Sequence, residues 1–85
     1  MEIIYLPKAD EDLTFWKNSG DRVVLKKIAQ LTQAIMQNPY QRIGKPEPLK
    51  YALTGKWSRR ITDTHRYVYQ IENNILKVYF LRGHY

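Results

Sequence analysis

Residues 66–81 read RYVYQIENNILKVYFL, and the architecture of the chain follows from this segment. Branched and aromatic residues alternate with polar ones on both sides of Asn73-Asn74, a dipeptide typical of the tight turn between two antiparallel strands. A two-residue turn pairs Glu72 with Ile75, and this register fixes which face each side chain takes. The side chains predicted to face the core are Tyr67, Tyr69, Ile71, Leu76, Val78 and Phe80.

Residues 57–62 predict the strand that precedes this hairpin. A two-residue turn between the two strands would bury Arg60 in the core and put Trp57 and Ile61 on the polar face. A three-residue turn reverses both assignments and sets Arg60 beside Arg66 on the face away from the core. We therefore expect a three-residue turn at Asp63-Thr64-His65.

The remaining elements follow from periodicity and from breakers. Strands are predicted over residues 2–6, 49–53, 57–62, 66–71 and 75–81, helices from Pro7 to Asn18-Ser19-Gly20 and from Asp21 to Asn38-Pro39, and a loop over residues 40–48. The predicted fold class is α+β: one domain over residues 1–85, an antiparallel sheet with two N-terminal helices packed on one face, and an open face that is basic and partly aromatic.

Length and composition exclude several classes of protein. Eighty-five residues form one small domain, and the absence of Cys excludes a disulfide framework and a thiolate zinc site. Two isolated histidines and eight scattered acids give no metal-ligand spacing, and no Gly-rich phosphate loop is present, so we expect no metal and no cofactor. The N-terminus lacks the pattern of a signal peptide and no apolar run is long enough to span a membrane, which predicts a cytoplasmic protein.

Charge is concentrated in the second half of the chain. Residues 1–41 carry five basic and five acidic side chains, whereas residues 42–85 carry nine basic and three acidic ones, which is the whole net charge of +6. Evenly spread charge would give the same solubility, so the asymmetry favours a surface that binds a polyanion over a merely solvated one.

The residues on this basic half suit the cleavage of RNA by its own 2′-OH. That reaction needs a base for the 2′ proton, an acid for the 5′ oxygen and fixed positive charge beside the phosphorus. Glu47, held between two prolines, is the candidate base, and His84 is the candidate acid because imidazole titrates near neutral pH. Arg66 and Arg60 are the candidate charges.

Further residues are expected to contact the RNA. Tyr85 or Tyr79 could stack on a base or orient the phosphate. The candidate RNA-binding residues are Lys45, Lys50, Arg59 and Arg60. Each feature also has a structural interpretation: Pro-Glu-Pro as a stiff connector, a terminal His as an exposed residue, and Arg59-Arg60 as protection of a strand edge. We assign His65 to the turn, with no catalytic role.

These residues lie in motifs that resemble the YoeB/Txe family of bacterial toxins, within the RelE-like group. The resemblance is dense over residues 44–69 and at the chain end, and covers nearly the full length. The motifs are GKPEPLK at 44–50, LTGKWSRRIT at 53–62, His65-Arg66 followed by Val68-Tyr69, and the terminal His84-Tyr85. Two positions depart from the family pattern: Gly83, where many relatives carry a bulkier residue, and Tyr51, where His is common. A flexible Gly83 would hold His84 less firmly and lower turnover.

The resemblance implies an mRNA interferase, a ribosome-dependent endoribonuclease that cuts mRNA in the ribosomal A site. It implies Glu47 as the general base, His84 as the general acid and Arg66 as the residue that steadies the phosphate, with Tyr85 and Arg60 in supporting roles. The implied partners are mRNA, the ribosome and a cognate YefM/Axe-like antitoxin that silences the toxin, and a homodimer is compatible with the sequence.

Two other functions remain open from the sequence. One is a toxin of the same fold that inhibits a protein such as a topoisomerase, and the other is an RNA-binding module without nuclease chemistry. The first has no use for Glu47 or a terminal His, so unchanged toxicity after substitution of either residue would favour it. The second should bind RNA with an affinity that falls steeply with salt, and should leave the RNA intact.

Overall fold

The computed structural model describes residues 1–84, so Tyr85 lies outside the described residues. The elements are β1 (Glu2–Tyr5), α1 (Pro7–Ser19), α2 (Arg22–Gln37), β2 (Glu47–Pro48), β3 (Trp57–Arg60), β4 (Arg66–Glu72) and β5 (Ile75–Phe80). The strands form one sheet in the order β1-β5-β4-β3-β2. The predicted α+β class is confirmed. The sheet is mixed rather than wholly antiparallel, because β1 pairs in parallel with β5.

Local signals set the ends of both helices. Pro7 occupies the start of α1, where its missing N–H costs nothing, and Gly20 ends the helix in the left-handed conformation at φ +71°. Asp21 caps α2 by accepting the N–H of Val24 at 3.0 Å. The helix ends at Gln37, two residues before Pro39, as the sequence predicted. No helix among residues 1–84 is both long and apolar enough to cross a membrane.

The core lies between the helices and one face of the sheet. It combines Ala9, Trp16, Val24, Ile28, Leu31 and Ile35 from the helices with Ile61, Tyr67, Tyr69, Leu76, Val78 and Leu81 from the sheet side. Burial of these side chains is the main driving force for the fold. The other face of the sheet, turned away from the helices, is called the outer face below.

The predicted register holds through most of the sheet. Glu72 pairs with Ile75 across the tight turn, and Arg60 pairs with Arg66. The two-residue hairpin turn is thus confirmed, whereas the three-residue turn is wrong: β3 ends at Arg60, and the five residues 61–65 connect it to β4. The connection still has an odd number of residues, so the predicted faces hold. The two basic side chains lie side by side on the outer face.

Two sequence predictions are wrong in detail. Residues 49–53 form no strand: residues 51–53 make a 3-10 turn, closed by bonds from the N–H of Leu53 to Lys50 O and of Thr54 to Tyr51 O, both 3.1 Å. The preceding loop contains the short strand β2 instead, and Pro48 is tolerated there because β2 lies at the edge of the sheet.

Phe80 was predicted on the core face, and the structure moves it to the outer face. The pairing of β4 with β5 shifts between Val68 and Tyr69, so that Phe80 lies opposite Val68 rather than Tyr67. The extra residue of this bulge is in β5 and changes the alternation of side chains. Leu81 consequently takes the core position and is fully buried.

We expect buried tyrosines to make the fold sensitive to alkali. Burial raises the pKa of Tyr67 and of Tyr69 above their ordinary value of 10.0. Above about pH 10 the unfolded chain therefore loses these protons first, and stability should fall by about 1.4 kcal/mol per pH unit for each tyrosine. Urea denaturation at several pH values between about 9 and 11.5 measures this.

The substitution Tyr67→Phe should make the fall in stability with rising pH shallower. Tyr51→Phe is the matched control, because it removes the same hydroxyl from a side chain that is 91% exposed. An equally steep fall in Tyr67→Phe and in the unsubstituted chain would contradict the prediction.

Candidate functional site

Two rows of side chains cross neighbouring strands on the outer face. In the first row Glu47 pairs with Ser58 of β3, which pairs with Val68 of β4. In the second row Arg60 pairs with Arg66. Paired residues project to the same side, and so does every second residue along a strand, so the rows share one face about 7 Å apart.

The loop that carries Glu47 rests directly on the core. Gly44 has φ +82°, and its carbonyl accepts the N–H of Arg60 at 2.7 Å. A Cβ at this position would lie 2.7 Å from Leu31 Cδ2 and 3.1 Å from Arg59 Cβ. Both the backbone angle and the close approach therefore require glycine. The loop is held against β3, three residues before Glu47.

Arg59 is buried under this loop, which corrects its assignment as an RNA-binding residue. It projects toward the helices and is fully buried. Its Nη1 donates to the carbonyl of Ile43 at 3.1 Å, its Nη2 to the carbonyl of Asn38, and its Nε to the hydroxyl of Tyr69 at 3.3 Å. The guanidinium thus ties the end of α2 and the following loop to the sheet and does not reach solvent.

Arg66 is held in a fixed orientation at the start of β4. Its Nη1 donates to three carbonyls of the preceding turn, those of Thr62 at 2.8 Å, Asp63 at 3.1 Å and His65 at 3.2 Å. Only 8% of the residue is exposed. Because a guanidinium stays charged at all ordinary pH values, these bonds place a permanent positive charge on the outer face. Arg60 beside it is exposed.

The C-terminal segment reaches the same part of the sheet. The carbonyl of Gly83 accepts the N–H of Arg66 at 3.0 Å, and its N–H donates to His65 Nδ1 at 2.9 Å. His84, the next residue, is exposed and starts beside the Arg60–Arg66 row. Tyr85 was predicted to act here and lies outside the described residues.

The other predicted RNA-binding residues lie at differing distances from this point. Lys45 and Lys50 are exposed and flank Glu47 along the chain. Tyr79 is farther away, since its hydroxyl bonds Gln70 Oε1 at 3.0 Å and Gln70 is four residues beyond Arg66 on β4. Its position does not favour contact with the same phosphate as His84.

Sequence reasoning missed residues that hold the chain end. Asp12 and Trp16 of α1 bond the backbone of Leu81, and His65, assigned to the turn alone, bonds Gly83. One weak signal was present in the sequence, because Asp12 lies one turn before Trp16 and interrupts the apolar face of α1. His65 stands in the His65-Arg66 motif, but no pattern there indicated a role beyond the turn.

Three parts of the chain that carry predicted site residues meet on the sheet. The strand that carries Glu47, the Arg60–Arg66 row and the segment that carries His84 come from three distant parts of the chain and meet at one end of the sheet. Among residues 1–84 there is no group of three or more acidic or His side chains placed to hold a metal ion. Fixed positive charge thus lies between the edge strand that carries Glu47 and the segment that carries His84.

Two helices on one face of a five-stranded mixed sheet place the chain in the RelE-like class of toxin folds. The model of the YoeB-like toxins of bacterial type II toxin–antitoxin systems matches residues 5–85. The chain belongs to this family, and the resemblance inferred from its motifs is confirmed.

Relatives match over the full length. Toxin YoeB of Escherichia coli K12 is 40% identical and that of Streptomyces coelicolor 45% identical, each over 100% of both chains. The solved YoeB/ParE toxin from Agrobacterium tumefaciens has a TM-score of 0.96 at 37% identity over 100% of both chains. The YoeB chain of a YoeB–YefM complex from Staphylococcus aureus has a TM-score of 0.90 at 38% identity, covering 100% of this chain and 98% of that one.

Proposed function

We propose that this toxin is an endoribonuclease that cuts mRNA in the ribosomal A site and so stops translation. The observation that carries the proposal is that Glu47, the Arg60–Arg66 row and the segment that carries His84 meet at one end of the sheet. Membership of the YoeB-like family supports it. The reaction takes place where ribosomes are, in the bacterial cytoplasm.

The chemistry follows from the four side chains. The Glu47 carboxylate accepts the proton of the 2′-OH, and the 2′ oxygen attacks the adjacent phosphorus. Arg66 and Arg60 stabilise the negative charge of the pentacoordinate phosphorus. The His84 imidazolium gives its proton to the departing 5′ oxygen. The products are a 2′,3′-cyclic phosphate and a 5′-hydroxyl end, and no metal ion is required.

The partners follow from the same proposal. The basic residues Lys45, Lys50 and Arg60 would contact RNA phosphates of the message or of the ribosome. A YefM-like antitoxin would neutralise the toxin, as the name of the YoeB–YefM complex from S. aureus suggests. A homodimer is supported by the solved YoeB dimer from the same organism. An antitoxin segment that folds on binding would cover the basic face or displace the chain end.

The test uses ribosomes programmed with a defined mRNA. Purified toxin should produce fragments with 5′-hydroxyl and 2′,3′-cyclic phosphate ends at the A-site codon. A message with a single 2′-deoxynucleotide at the cleaved position should stay intact at that position, because the nucleophile is missing.

Three other outcomes would each contradict a different part of the proposed function. Cleavage next to the 2′-deoxynucleotide would overturn the proposed chemistry. Translation that stops while the message stays intact would indicate binding without cleavage. Normal translation with inhibited topoisomerase activity would favour a protein target.

A further inference from the structure

We propose that His65 is a positioning residue, which holds the candidate acid His84 at the site by accepting the N–H of Gly83, the residue before it. The proposal rests on the proposed nuclease function for its effect on activity. His65 belongs to a set of contacts, here called the terminal clamp, formed by Asp12, Trp16, His65 and the main-chain N–H of Arg66 around residues 81–83.

The first half of the terminal clamp comes from α1. Asp12 Oδ2 accepts the N–H of Leu81 at 2.9 Å, and Trp16 Nε1 donates to the carbonyl of Leu81 at 2.9 Å. Both side chains are buried, at 1% and 6% exposure. Lys8 pairs with the other oxygen of Asp12. One helix therefore satisfies both polar groups of the Leu81 backbone with side chains one turn apart.

The second half of the terminal clamp fixes Gly83. Its N–H donates to His65 Nδ1 at 2.9 Å, and its carbonyl accepts the N–H of Arg66 at 3.0 Å. Gly83 has φ +90°, a conformation that suits glycine. Both of its polar groups are bonded, so this glycine is not a free hinge in front of His84.

His65 joins the two halves. Its ring lies edge-on to Trp16, with centroids 4.8 Å apart and planes at 84°. Its own carbonyl accepts from Arg66 Nη1 at 3.2 Å. The same residue thus contacts the indole that holds Leu81, the guanidinium of the site and the N–H of Gly83, the residue before His84.

The hydrogen bond between Gly83 and His65 defines which tautomer the His65 imidazole adopts. Because Nδ1 accepts the amide proton, the ring must be neutral with its hydrogen on Nε2. An aliphatic side chain at position 65 would fill part of the space and leave the Gly83 N–H without its acceptor. An Asn side chain, by contrast, has Oδ1 as many bonds from Cα as Nδ1 is in His, and can accept the same proton.

The rate of proton transfer depends on where the donor lies relative to the bond that breaks. Displacement of a catalytic group by about 1 Å can lower a rate by about 100-fold. The loss of the His65 bond should therefore lower the rate of the chemical step and leave ribosome affinity largely unchanged, since the basic residues that bind RNA are untouched.

The test compares His65→Leu with His65→Asn, and uses Thr64→Ala in the same turn as the control. Single-turnover cleavage on programmed ribosomes should fall about 10- to 100-fold in His65→Leu, with KM within about 2-fold of the unsubstituted toxin. His65→Asn should recover most of the rate, and Thr64→Ala should keep all of it. Equal losses in His65→Leu and His65→Asn would overturn the proposal, because they would indicate a packing role against Trp16.

Nuclear magnetic resonance tests the clamp without reference to nuclease activity. In the unsubstituted chain the His65 ring should show the Nε2–H tautomer, and the Gly83 amide should exchange at least about 10-fold more slowly than in His65→Leu. An Nδ1–H tautomer, or equal exchange in both proteins, would overturn the proposal. A protected Gly83 amide in a protein that leaves mRNA intact would instead reject the nuclease function and retain the clamp.

Discussion

Replacing Glu47 by Gln is expected to lower the rate of mRNA cleavage by about 10²- to 10⁴-fold, the usual contribution of a positioned general base. Gln keeps the shape of the side chain but cannot accept the 2′ proton. Glu47 is exposed at the edge strand β2, so the fold should be unaffected. Single-turnover cleavage on programmed ribosomes, with ribosome binding measured separately, checks the result.

The matched control is Glu72→Gln. Glu72 is also an exposed carboxylate of the same sheet, but it lies at the far end of β4 and pairs with Lys77. Its removal should leave cleavage unchanged. If Glu47→Gln cleaved as fast as Glu72→Gln, Glu47 would not be the base, and the Pro-Glu-Pro segment would be a connector only.

His84→Gln should cause a loss in the same range, because it removes the proton donor to the 5′ oxygen. The double substitution is informative, because groups that act on one transition state give non-additive losses. A double variant only slightly slower than either single variant is therefore expected. Full additivity would indicate that the two side chains contribute independently and do not act as a unit.

The register of the sheet could be predicted from sequence because its determinants are local. Asn73-Asn74 defines the hairpin, and an odd turn before Arg66 is the only choice that keeps Ile61 in the core and Arg60 out of it. The prediction failed at Phe80, where a bulge changes the alternation. A bulge depends on pairing with a neighbouring strand and leaves little trace in one strand alone.

The long-range contacts could not be predicted in this way. The bond between Asp12 and Leu81 joins residues 69 positions apart, and that between Arg59 and Asn38 joins residues 21 apart. Hydrophobic periodicity carries no information on such polar pairs. The burial of Arg59 is a partial exception. Alternation along β3 already places this residue on the same face as Trp57 and Ile61, which is the core face. Its charge, however, favoured a role on the surface.

Replacing Arg59 by Leu is expected to destabilise the fold by about 3 kcal/mol or more. The substitution removes the donors to the carbonyls of Asn38 and Ile43 and to the hydroxyl of Tyr69. A buried polar group left without a partner costs about 1–3 kcal/mol. The whole stability of a domain is about 0.05–0.15 kcal/mol per residue, so this loss is a large fraction for 85 residues. Urea denaturation measures the change.

Arg60→Leu is the matched control, because the two arginines are adjacent in β3 and project to opposite faces. Arg60 is exposed, so its removal should change stability by less than about 0.5 kcal/mol while lowering cleavage. Arg59→Lys should give an intermediate loss of stability, since an ammonium keeps the charge but cannot reach all the partners of the planar guanidinium. Equal losses of stability for Arg59→Leu and Arg60→Leu would contradict the structural role, because of these two side chains only that of Arg59 ties the loop that carries Glu47 to the sheet.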